Sequence, residues 1–392
     1  TTCNNSSEYD FNETRLILKK EENLLKDMLI GDIYYKREYI TNITNPFVRL
    51  YYTNIKPSPN SNIQIEAKIC MIHGFAHHSF DFYEYATYLA KRGFNCFLVD
   101  LRGHGYSGSS RFEWKIEEFH TDIITLIKES EKQNFELPLF LFGHSMGGGL
   151  LSNLFINNPY LQVQGIILSA PLLGTPLTTL PESWAKSFVL RNFGYHLKDF
   201  VINGKINITA LTKDDKEVVR MFNDNKNVPM TTPNSFRSLL KMFERTLENC
   251  RNFSLNCLII HGDKDKIVNL QHTKVFYENI KSKSKELVVV ENGYHEIYKD
   301  YERKDFFEKS LSWMKQHMTI GKTDKPFPVD ITVGPPKQIY NKIRIWSLIK
   351  FVLFIVYAYI GMKLKKILKT KLAVIFWPLG LLGYIYDQIF TI

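Results

Sequence analysis

The chain has 392 residues, 44% hydrophobic and 23% charged, a composition that excludes a disordered or low-complexity protein and is long enough for one large domain or two ordinary ones. Its formal charge of +10 is unevenly placed: residues 331–392 carry nine Lys or Arg against Asp387 alone, a local charge of +8 that leaves +2 for residues 1–330. A near-neutral body excludes a broad nucleic-acid-binding surface there.

Five cysteines, at 3, 70, 96, 250 and 257, are odd in number and widely spaced, with no CxxC pair or His-rich cluster. A disulfide framework and a metal site are therefore not expected, and Cys70, Cys96 and Cys257, inside apolar runs, read as small core residues. Asn4, Asn12 and Asn42 head N-x-S/T sequons. The first residue is Thr, which suits a chain from which a targeting segment has been removed.

Taken in chain order, residues 1–45 mix polar, acidic and basic residues and read as an N-terminal extension, either a helix on the body or a mobile segment. FVRLYYTNIK (47–56) reads as an early strand. Then IEAKICMIHG, DFYEYATYLAKRGF, NCFLVDLRGHG, KIEEFHTDIITLIKESEKQ, LPLFLFGHS, MGGGLLSNLFINN and VQGIILSAP alternate strand and helix up to Pro171. Strands that are apolar throughout, without polar alternation, are buried on both faces, and their alternation with helices predicts a mostly parallel sheet with helices on both faces.

The rhythm stops at 172–250, where PESWAKSFVLRNF, KDDKEVVRMFND and SFRSLLKMFERTLENC read as helices and no strand is evident, so a helical cap is expected over one sheet end. It resumes with the strand LNCLIIHGDKD, the helix NLQHTKVFYENIKS, the strand KELVVVEN and the helix DFFEKSLSWMKQH. The domains are thus an extension (1–45), a core in two parts (46–171 and 251–318) around a cap (172–250), a linker (319–343) and a hydrophobic tail (344–392).

In the tail, RIWSLIKFVLFIVYAYIGM and LAVIFWPLGLLGYIY flank the basic KLKKILKTK. Trp346, Tyr357, Tyr359 and Trp377 with the adjoining Lys and Arg are interfacial anchors, so these helices are expected to meet a membrane, spanning it or lying on it. A hairpin buried against protein, as in a membrane complex, is the alternative.

The chemistry centres on GHSMG (143–147), a GxSxG pattern between an apolar strand and a helix. A serine on that sharp turn is exposed at the carboxyl edge of the sheet, and Gly143 and Gly147 are small because the backbone closes on itself there. The helix that follows brings Met146 N–H to the site as one oxyanion donor, and the loop after the strand CMI brings Phe75 N–H as a second. A serine needs a base: His295 follows the strand KELVVVEN, whereas His120, His196, His272 and His317 fall in helical or cap-like stretches and His104 in the supporting loop LRGHGYSG. For the acid, Asp263 and Asp265 both lie beyond a strand end. Either gives the order Ser, Asp, His, that of the α/β-hydrolases.

HGFAHHS, DLRGHGYSG, GHSMGGG, SAPLL, HGDKDKIV and NGYHEIYKD, in this order, resemble the monoacylglycerol lipase and lysophospholipase family of serine α/β-hydrolases, over residues 45–318. The resemblance implies an α/β-hydrolase fold, Asp265 as the acid through an HGxxD-type loop, and a cap over an acyl tunnel. It also implies cleavage of lipid carboxylic esters by an acyl-enzyme on Ser145, with no metal or organic cofactor. Ala76 and His77 stand where that family's loop, HGxGEHS, has Gly and Glu. Acyl-thioester and peptide hydrolysis are neighbouring enzymatic readings, and a binding or structural subunit of a membrane complex is the non-enzymatic one.

Overall fold

The computed structural model describes residues 25–133, 136–161, 163–174, 199–204 and 206–318. The predicted tail and linker, the sequons at Asn4 and Asn12, and the predicted helix PESWAKSFVLRNF lie outside them. Among the described residues, no helix is long and apolar enough to cross a membrane.

The strands, in chain order, are β1 (Met28–Ile30), β2 (Ile33–Thr41), β3 (Arg49–Pro57), β4 (Ala67–Ile72), β5 (Phe94–Val99), β6 (Leu139–His144), β7 (Gly165–Ser169), β8 (Ile202–Asn203), β9 (Met230–Thr231), β10 (Cys257–Gly262) and β11 (Lys285–Val290). Nine of them form one sheet in the order β1-β2-β3-β5-β4-β6-β7-β10-β11. The pairs from β1 to β3, and β3 with β5, are antiparallel. From β5 to β11 every pair is parallel, as the apolar runs predict.

The α-helices among the described residues are α1 (Tyr83–Ala90), α2 (Ile116–Gln133), α3 (Met146–Asn157), α4 (Asp215–Phe222), α5 (Pro233–Glu248), α6 (Leu270–Asn279) and α7 (Arg303–His317). The sheet is covered on both faces. On one, Cys70 and Ile72 of β4 and Leu141 of β6 pack with Ile123 and Ile127 of α2 and Leu150 and Leu154 of α3. On the other, Ile69 and Met71 of β4 and Phe140 and Phe142 of β6 pack with Tyr85 and Leu89 of α1 and Phe306 and Trp313 of α7. Every residue of β4 and β6 is buried, which is why neither shows a polar alternation.

Helix α2 shows how sequence sets an element. Ile116, Phe119, Ile123 and Ile127 recur at three- and four-residue steps, Glu117 and Glu118 stand in its first turn and Lys132 in its last, complementing the helix dipole. In the cap, α5 starts where Thr232 accepts a hydrogen bond from Ser235 N, with Pro233 in its first turn, and α4 starts on Asp214, which accepts from Lys216 N.

Two expectations are corrected. Among the described residues the sheet begins at Met28, so residues 28–41, expected in the extension, supply β1 and β2. The cap is not purely helical, since β8 and β9 pair antiparallel. Asn42 also loses its sequon reading: it is buried, and its amide donates to Asp122 Oδ1 at 2.8 Å and Thr121 Oγ1 at 3.1 Å.

Cys70, Cys96, Cys250 and Cys257 are buried free thiols, and burial pushes Cys70 and Cys257 up to about 12. Burial also pushes His104 and His120 down from 6.5 to about 4. Such a histidine binds a proton in the unfolded chain before it does in the folded one. Its stabilising contribution is therefore complete above its unfolded value and is lost as pH falls towards its folded value, at about 2 kcal/mol per histidine by pH 5. The melting temperature should drop between pH 7 and pH 5, and His120→Leu should shrink that drop; an unaltered drop would contradict the assignment.

Candidate active site

Ser145 joins β6 to α3 at φ 51° and ψ −117°. That left-handed backbone costs an L-residue about 1–2 kcal/mol, so surrounding contacts must impose it. They are visible: Ser145 N donates to Ser169 O at 2.9 Å, and Ser145 O accepts from Gly149 N at 3.0 Å and Leu172 N at 2.8 Å. Two close approaches explain the flanking glycines. A Cβ on Gly143 would meet Gly147 O at 2.7 Å, and one on Gly147 would meet Ile72 O at 2.2 Å. Met146 opens α3, where the first-turn N–H groups have no partner within the helix.

Asp265 lies beyond β10 and His295 beyond β11, two strands that run parallel side by side. Asp265 Oδ1 accepts from Ile267 N at 2.7 Å and Val268 N at 2.9 Å, and Oδ2 is 2.7 Å from His295 Nδ1. Burial opposes the carboxylate's charge, but His295 and His261 outweigh it and hold the carboxyl well below its usual range. An ionised carboxylate only accepts, so the proton between them sits on His295 Nδ1 and leaves Nε2 as the basic nitrogen. The His295 ring lies 4.7 Å from that of His144, the residue before Ser145. Asp263, by contrast, is exposed, 3.5 Å from Lys264 Nζ.

The loop after β4 is anchored by His73. Its Nε2 accepts from Leu101 N at 2.9 Å, so Nδ1 carries the proton and donates to Gly74 O at 2.7 Å. Gly74 lies against the Ser145 turn, since a Cβ there would be 3.1 Å from Ser145 Cβ. Phe75 follows, its ring edge-on to Trp114 and His104. Ala76 has φ 65°, so the loop keeps the left-handed turn that a glycine would adopt freely.

Residues 63–302 match the family model described as serine aminopeptidase, S33. The chain belongs to this family. It is 27% identical over 284 residues to a putative monoglyceride lipase of Schizosaccharomyces pombe, covering 70% of this chain and 72% of that one. It is 25% identical to a monoacylglycerol lipase of Mycolicibacterium smegmatis, over 64% of this chain and 88% of the other. Among solved structures, the monoacylglycerol lipase of Paleococcus ferrophilus superposes with a TM-score of 0.60 at 23% identity, covering 68% of this chain and 99% of that one. A soluble variant of the Saccharomyces cerevisiae monoglyceride lipase, in complex with a substrate analog, gives 0.61 at 18% identity over 71% and 94%. The fold is that of the α/β-hydrolases, and the chain is a carboxylic ester hydrolase.

Three residues around this S33 hydrolase's site go unnamed in the sequence reading. His144 sits between the rings of His295 and Tyr298, with Nδ1 3.3 Å from Ser169 Oγ, and burial with the neighbouring His295 holds it well below 6.5. His261 places Nε2 3.1 Å from Asp265 Oδ2 and Nδ1 2.9 Å from Thr273 Oγ1, so the carboxylate faces two imidazoles. Glu296 follows His295 and is buried. Only His261, four residues before Asp265 in the same motif, carries a sequence signal that could have flagged it. His144 stands in the GHSMG pattern, but its contacts come from distant segments.

Proposed function

We propose that this hydrolase cleaves carboxylic esters of lipids, monoacylglycerol or lysophospholipid, through an acyl-enzyme on Ser145. The observation that carries the reading is the buried Asp265–His295 pair, 2.7 Å apart, whose imidazole lies against the residue preceding the strained Ser145. His295 Nε2 takes the Ser145 Oγ proton as Oγ attacks the ester carbonyl. The N–H groups of Phe75 and Met146 receive the negative oxygen, each contributing about 3–4 kcal/mol in such sites. The alcohol departs with the proton held by His295, and a water deprotonated by the same imidazole then releases the fatty acid. Asp265 keeps the imidazole in the required tautomer.

The lipid substrate is supported by the monoglyceride and monoacylglycerol lipases to which the chain is similar, and by the cap inserted between the two halves of the core. The test is a matched panel of monoacylglycerol, lysophosphatidylcholine, an acyl-thioester and an aminoacyl arylamide. Oxygen esters of long acyl chains should give kcat/KM at least about tenfold above the others, with Ser145→Ala inactive on all. The family description also names an aminopeptidase, and preference for the arylamide would make peptide hydrolysis the activity.

Residues 344–392 are proposed to hold the enzyme at a membrane, which suits substrates that partition into bilayers. Removing residues 336–392 should release it from sedimenting membranes while its activity on short soluble esters is kept. Continued sedimentation would place the attachment elsewhere in the chain.

A further inference from the structure

A buried run of ionisable side chains links the base, the oxyanion loop and the cap. Glu296 comes directly after His295 and is 0% exposed. Its Oε1 lies 3.1 Å from His77 Nδ1, and its Oε2 3.0 Å from Lys299 Nζ. His77 stands two residues after Phe75, and the same Nδ1 is 3.1 Å from Asp81 Oδ2. Asp81 Oδ1 in turn accepts from Lys299 Nζ at 2.9 Å and from Arg220 Nη2 at 2.7 Å. Arg220 belongs to α4 of the cap and also donates from Nε to Glu217 at 2.8 Å. Burial opposes ionisation of Asp81, yet Lys299, Arg220 and His77 together hold its carboxyl well below its usual range. Asp81 is therefore a charge held inside the protein, which is costly unless it keeps these partners.

This arrangement has a geometric consequence. His295 and Phe75 come from segments more than two hundred residues apart in sequence, yet an ester carbonyl must meet Ser145, the imidazole and the oxyanion donors together. Glu296 and His77 join those two segments beside the Lys299–Asp81 pair and lie nearer the site, one residue from the base on one side and two from the donor on the other.

We propose that Glu296 is a positioning residue for His295, which fixes the base's loop to the oxyanion loop through His77 while Lys299, Asp81 and Arg220 clamp the same set to cap helix α4. The proposal rests on the triad reading above. A purely structural role, in which Glu296 only neutralises Lys299, predicts a lower melting temperature with an unaltered pH profile.

The test uses the full chain with Glu296→Gln, His77→Gln and the double variant, each checked by thermal melting. For each, kcat and KM are measured on a soluble short-chain ester from pH 5 to 9. Each single change should lower kcat about tenfold with KM within about twofold, the signature of a misplaced catalytic group. The double variant should lose no more than the worse single one, because both remove one contact. With Asp265 and His144 left in place beside the imidazole, His261 behind Asp265 and Lys299 on Asp81, the acidic limb of kcat/KM in Glu296→Gln should move to lower pH, since a carboxylate next to the ring in sequence is gone.

Wild-type kcat and pH profile in Glu296→Gln, or losses that multiply in the double variant, would overturn the proposal. Should Glu296→Gln fail to fold, Glu296→Asp carries the test. It keeps the charge and shortens the reach, so a lowered kcat with the wild-type acidic limb is expected and a wild-type kcat overturns the idea. An active wild type with an unaffected Glu296→Gln sinks this proposal alone, whereas a wild type that hydrolyses no ester sinks the triad reading beneath it.

Discussion

Asp265→Asn should lower kcat on a soluble ester by about 10⁴-fold, while Asp263→Asn stays within about twofold of wild type. The size follows from hydrogen-bond bookkeeping at one side chain. Asp265 Oδ1 accepts from the backbone N–H groups of Ile267 and Val268, so an Asn there keeps its carbonyl on that side. Its NH₂ then faces His295 Nδ1 and donates to it. The imidazole must present a lone pair at Nδ1 and carry its proton on Nε2, so it can no longer take the proton of Ser145. Asp263 is exposed beside Lys264 and has no such hold on the base. Turnover of the two variants, with melting curves to show both folded, decides the matter, and equal losses would transfer the acid's role or divide it.

Gly147→Ala should destabilise the fold by about 3 kcal/mol or more and take the activity with it. The added Cβ would lie 2.2 Å from Ile72 O and 2.8 Å from His73 O. Those are backbone atoms at the end of β4, a strand paired on both sides with β5 and β6, so the obstacle cannot swing away as a side-chain tip would. Any retreat of α3 moves Ser145 and Met146. Gly108→Ala is the control, because its nearest neighbour is Arg49 O at 3.4 Å, an ordinary contact. Urea denaturation of the pair should separate them by most of the predicted difference, and equal midpoints would show that the turn can open without cost.

The parts of this molecule that could be read from its sequence are those whose physics is local. Strands β4 to β7 and β10 are buried on both faces and announce themselves as short apolar runs; α2 announces itself by its period and α5 by Thr232 and Pro233 at its start. β2 does not, because Lys36, Arg37 and Glu38 interrupt it. Arg37 is buried in the fold and Glu38 accepts from Tyr52 Oη at 2.7 Å on the neighbouring strand, contacts that no window of sequence contains. β8 and β9 are two residues each, too short for any periodicity to register.

The site divides along the same line. The turn at Ser145 is legible because its glycines, strand and helix are contiguous. Asp263 and Asp265 are two residues apart, and what distinguishes them, burial and the contact with His295, exists only in the fold, so the residue pattern leaves both open and family resemblance alone points to Asp265. The contacts of His144, Glu296 and His77 join segments far apart in the chain, and such pairings come into view only once the sheet order brings the strand ends together.

The most direct test of the central claim is reaction of the native, full-length protein with a fluorophosphonate probe, followed by mass spectrometry of its peptides. A nucleophile activated by the Asp265–His295 pair should give one adduct, on Ser145, absent from Ser145→Ala and lost on heat denaturation. An unlabelled wild type, or an adduct on another residue, would contradict the account and leave the body as a binding module held in a membrane complex.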